Sequence, residues 1–119
     1  MSLCLFCLFV AGCHIQPDTD VKIAPEVEPR PPRVGQVTIT VRVTRADKPI
    51  TGAQMKLEAN MSHAGMAPVF ADAREVEPGI YRANMELTMA GDWIVSVSII
   101  LPEGTKVYRQ FDVTGVAPA

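Results

Sequence analysis

The chain has 119 residues, enough for a single domain, and a formal net charge of −2. It lacks the excess of Lys and Arg that a phosphate-gripping surface requires, so nucleic acid is not expected as a partner. No apolar run reaches the roughly 20 residues of a membrane-spanning helix, and ten prolines with eight glycines favour turns and extended segments over long helices.

The first ten residues read MSLCLFCLFV, an apolar stretch too short to span a bilayer but suited to the core of a secretion signal. It runs into Val10-Ala11-Gly12-Cys13, an aliphatic residue and two small residues before a cysteine. This resembles the lipobox of bacterial lipoproteins, although no Lys or Arg follows Met1. The resemblance implies a signal peptide over residues 1–12, cleavage before Cys13 and a diacylglyceryl group on the Cys13 thiol. It also implies a place in the cell envelope, lipid-anchored to a membrane and facing the periplasm or the exterior. Buried methylenes contribute about 0.8 kcal/mol each, so more than one chain holds a protein firmly. The alternative is a buried N-terminal strand with incidental cysteines. Cys4, Cys7 and Cys13 are the only cysteines, so the rest of the chain has neither a disulfide nor a thiolate metal site.

Residues 13–34 carry Pro17, Pro25, Pro29, Pro31 and Pro32 among alternating charges. Proline fixes φ and favours extended chain, so this stretch reads as a semi-stiff tether. The competing reading is a structured extension packed on the domain.

From Gly35 the dominant period is two. Val37 to Thr44 alternates apolar and polar residues, a half-buried strand. After turn chemistry at Ala46 to Gly52, a second strand places Ala53, Met55, Leu57 and Ala59 on one face. A short apolar piece at Val69 to Ala71, an edge segment at Arg74 to Val76 and a Glu77-Pro78-Gly79 turn follow. Tyr81, Ala83, Met85 and Leu87 alternate with polar residues, and Ala90-Gly91-Asp92 turns the chain. Trp93, Val95, Val97, Ile99 and Leu101 form the inward face of the strongest strand, with Trp93 as core anchor. A loop at Pro102 to Thr105 leads to a last strand, Lys106 to Val113. About seven short strands with a turn every ten residues or so predict an all-β, immunoglobulin-like β-sandwich over residues 35–115.

Several of these steps together resemble the YtkA-like domain, which is related to the FixH proteins. They are Gly52-Ala53, Met61 to Met66, Pro78-Gly79-Ile80-Tyr81 and Met89-Ala90-Gly91-Asp92-Trp93. The resemblance covers roughly Gly35 to Val113. It implies an immunoglobulin-like sandwich outside the cytoplasm and an association with copper handling or cytochrome oxidase assembly, hence an envelope or respiratory-assembly partner. The family loop usually has a proline-glycine pair between two methionines. Here it reads Met61-Ser62-His63-Ala64-Gly65-Met66, with the proline moved to Pro68.

That loop is the one constellation with metal chemistry. Thioether sulfur is soft and neutral and imidazole is borderline, so Met61, His63 and Met66 suit Cu(I) and suit hard cations poorly. Two methionines argue against zinc. The competing reading buries Met61 with its strand, uses Met66 to fill an irregular gap and leaves His63 solvated. Met55 and Met85 face the core. Met89 is placed by the expected topology at the opposite end from His63. No Ser/His/Asp set or phosphate loop occurs, so no enzyme is expected, and Asp72, Glu75 and Glu77 read as a solvated acidic run. Two functions follow: a membrane-tethered Cu(I) carrier or assembly factor, or a metal-free interaction or structural module of the envelope.

Overall fold

The computed structural model describes residues 20–62 and 66–119. Among them no helix is long and apolar enough to cross a membrane. The described residues form eight strands: β1 Val21–Glu28, β2 Gly35–Arg45, β3 Lys48–Pro49, β4 Gln54–Met61, β5 Val69–Glu77, β6 Ile80–Leu87, β7 Gly91–Ile100 and β8 Lys106–Val116. They hydrogen-bond in the order β1-β2-β6-β5-β4-β7-β8, with β3 on β2. All the strand pairs are antiparallel.

The fold is the expected all-β sandwich, nearly closed on itself. One layer is β1, β2 and β6; the other is β4, β7 and β8. Strand β5 joins them, pairing through Val69 to Ala73 with β4 and through Arg74 to Glu77 with β6. The two segments read separately in the sequence are therefore one nine-residue strand that changes layer. Alternate side chains of β5 are only half buried, and its inward residues include the small Ala71 and Ala73, so little bulk opposes the corner. On the far side β1 and β8 face each other, and the Arg109 guanidinium donates to the Val21 carbonyl at 3.1 Å across the seam.

The core follows the period-two reading. Val37, Ile39, Val41 and Val43 of β2, Tyr81, Ala83, Met85 and Leu87 of β6, Met55, Leu57 and Ala59 of β4, and Val95, Val97 and Ile99 of β7 are all buried. Trp93 is fully buried, as expected of the anchor.

The tether boundary requires correction. Strand β1 lies inside residues 13–34 and pairs with β2 from Val21↔Arg45 to Glu28↔Thr38. Val21 is buried and Ile23 and Val27 pack on the core, so from Val21 onward the chain is the structured extension, not a spacer; residues 13–19 lie outside the described residues. Pro25 is tolerated because β1 is an edge strand, where a missing N–H can face outward. At the other terminus the last strand runs past Val113 to Val116, and Ala117 exchanges backbone hydrogen bonds with Pro32 and Val34.

Candidate functional site

The chain reversals divide between two ends of the sandwich. At one end lie the start of β1, the end of β2, the β5–β6 turn and the β7–β8 loop. The other end gathers the start of β2, the β4–β5 loop, the β6–β7 loop and the end of β8. The candidate metal residues lie at this second end.

Met61 is the last residue of β4 and sits opposite Trp93 in the register. It remains 8% exposed, more than Met55 at 3% or Met85 at 2%. Its Cε methyl occupies the space beside Gly91, where a Cβ would come within 3.2 Å of it. Met66 lies three residues before Val69, which pairs with Ala59, and is 38% exposed. His63, like Cys13, lies outside the described residues.

The β6–β7 loop is stitched to the same end. The Ser62 N–H donates to the Asp92 carbonyl at 3.2 Å, and the Trp93 indole donates to the Met89 carbonyl at 2.9 Å. The Asp92 carboxylate accepts the Gly115 N–H at 2.9 Å and ties in the end of β8. Met89 is 44% exposed. The expectation that Met89 lies at the opposite end is thus overturned. Antiparallel pairing of β4 with β7 puts the end of one strand beside the start of the other, and the preceding loop goes with it.

Met61, Met66 and Met89 offer neutral thioether sulfur, which binds soft monovalent ions and leaves hard cations in water. Among the described residues no group of three or more His, Cys, Asp or Glu side chains is placed to hold a metal ion.

The opposite end is held by a polar clamp that the sequence reading missed. The Glu75 carboxylate accepts the Gly52 N–H through one oxygen and the Gly79 N–H through the other, both at 3.1 Å. These bonds, first Gly52 and then Gly79, hold its carboxyl below the ordinary value, against a smaller opposing effect of desolvation. Next to it, Tyr81 is 1% exposed. Its hydroxyl donates to the Ile50 carbonyl at 2.8 Å and accepts the Ala53 N–H at 3.0 Å. Burial pushes this phenol up. Glu75 is therefore a turn clamp and not part of a solvated acidic run. Its position was the available signal: with Val69, Ala71 and Ala73 it occupies the inward parity of β5. A buried tyrosine likewise signals a partner for its hydroxyl.

The architecture and its methionine-lined end define a small all-β, nearly closed sandwich domain. The YtkA-like family model matches residues 15–98, well over half of the chain, and the chain belongs to that family. The match begins ahead of β1 and ends within β7. Among solved structures, the crystal structure of a DUF4426 family protein from Pseudomonas aeruginosa PAO1 superposes with a TM-score of 0.63 at 15% identity. The superposition covers 84% of this chain and 93% of that one, a likeness of fold. No curated protein matches the sequence.

Proposed function

We propose that this YtkA-like protein is an extracytoplasmic lipoprotein, anchored through Cys13, that binds Cu(I) through Met61, His63 and Met66 and delivers it to a partner in the envelope. The observation that carries the metal reading is the exposed Met66 on the loop that follows the rim residue Met61. An exported site has reason to use methionine, because free thiols oxidise outside the cytoplasm.

The test is an anaerobic Cu(I) titration against a competing chelator. It uses the full-length chain with Cys4, Cys7 and Cys13 changed to Ser, so that no thiol competes. The expected result is one Cu(I) bound, no Zn(II) bound, and loss of Cu(I) on replacing Met61, His63 and Met66 with Ala. Unchanged affinity in the triple variant refutes the assignment. The anchor is tested separately, by mass spectrometry of the native protein. A diacylglyceryl mass on Cys13 supports it, and an unprocessed, unmodified chain overturns it.

A second reading, a metal-free interaction module, draws on the burial of Met61 within the core cluster. It expects no Cu(I) uptake and an envelope partner recovered by crosslinking.

A further inference from the structure

We propose that Met89 is a sulfur ligand of the same end of the sandwich, completing with Met61 and Met66 a three-thioether site for Cu(I). This rests on the copper reading above and adds a donor from a second loop.

Three observations carry it. First, the register brings the loops together: Met61 sits opposite Trp93, and Ser62 donates to the Asp92 carbonyl at 3.2 Å. Second, the backbone at Met89 is fixed. Its carbonyl accepts the indole N–H of Trp93 at 2.9 Å, and that ring is fully buried. A donor held by a rigid neighbour loses less freedom on binding than one on a free loop. Third, the domain uses its methionines in two ways. Met55 and Met85 are 3% and 2% exposed and fill the core. Met66 and Met89 are 38% and 44% exposed and belong to the two loops that meet beside Met61. Core packing accounts for the first pair and not for the second.

The chemistry follows from the donors. Three neutral sulfurs leave the charge of a monovalent soft cation uncompensated, so release to a partner with stronger donors costs less than it would from thiolates. Mixed binding with hard divalent ions is disfavoured, since thioethers compete poorly with water for them.

The experiment titrates anaerobic Cu(I) into the cysteine-free full-length chain, its Met89→Leu variant and its Met55→Leu variant. X-ray absorption is used to count sulfur neighbours. Loss of an outer-shell partner of a metal site already costs about 10-fold in affinity. Met89→Leu is therefore expected to weaken Cu(I) by at least about that factor, to lower the sulfur count by one, and to leave the unfolding midpoint near that of the parent. Met55→Leu is expected to leave both the affinity and the sulfur count unchanged. If the parent binds Cu(I) and Met89→Leu matches it in affinity and sulfur count, the role of Met89 is overturned while the copper reading stands. If the parent binds no Cu(I), both fall together.

Discussion

The hydroxyl of Tyr81 on β6 donates to the carbonyl of Ile50 at 2.8 Å, tying a buried ring to the segment that links β3 and β4. The same oxygen accepts the Ala53 N–H at 3.0 Å. Tyr81→Phe keeps the ring and deletes both bonds, leaving two part-buried backbone groups without that partner. The expected cost is about 1 to 3 kcal/mol. Urea unfolding should show a lower midpoint at an unchanged slope, because the surface exposed on unfolding is nearly the same.

Glu75 makes the domain acid-sensitive. Its folded-state pKa lies below the ordinary 4.5 because Gly52 and Gly79 donate to the carboxylate. The stabilisation is therefore complete above that ordinary value and is lost as the pH falls through the folded value. Glu103, also lowered by its own backbone N–H and by Arg45, contributes to the same acid limb. The comparison with Glu75→Gln isolates the clamp. Unfolding midpoints measured from about pH 6 to about pH 3 should fall less steeply in the variant than in the parent.

Gly79 is fixed by both conformation and space. Its φ is +75°, and a Cβ there would lie 2.5 Å from the Pro49 Cβ and 3.0 Å from the Pro49 Cα. Gly79→Ala should cost roughly 2 to 4 kcal/mol, from left-handed backbone strain together with overpacking. Gly104 has φ +94° but open space where a Cβ would lie, so Gly104→Ala should cost only about 1 kcal/mol. Thermal midpoints of the two variants check the order.

The boundary at β1 predicts how far the chain can be shortened. A chain beginning at Gly35 lacks the strand that covers one edge of β2 and the apolar residues Val21, Ile23 and Val27. It should aggregate or unfold at room temperature, because an open edge and an uncovered core face are exposed together. A chain beginning at Asp20 should unfold cooperatively. Size-exclusion profiles and calorimetry of the two distinguish them.

The strands with clean alternation were legible in the sequence: β2, β4, β6 and β7 follow the expected parity, and Trp93 anchors the core as expected. What failed was what depends on partners. Strand β1 was hidden by Pro25, which interrupts the apolar period, although Val21, Ile23 and Val27 keep it on either side. Strand β5 looked like two pieces because neither of its faces is fully buried, a consequence of changing layer midway. Met89 was misplaced because nothing local to its loop reveals which strand lies beside β7. Only the pairing of Met61 with Trp93 does. The Glu75 clamp required knowing that two distant turns, at Gly52 and Gly79, converge on one carboxylate.

Val21 enters the sheet opposite Arg45, at the end of the sandwich remote from Met61 and Met89. The 11 residues of β2 run between the two ends, a span of about 36 Å at roughly 3.3 Å per residue. Met61 and Met89 therefore lie about one strand length from the point where the chain enters the sheet. A molecule docking at the Met61 end is not obstructed by the entry of the chain into β1, because the two features occupy opposite ends of the sandwich.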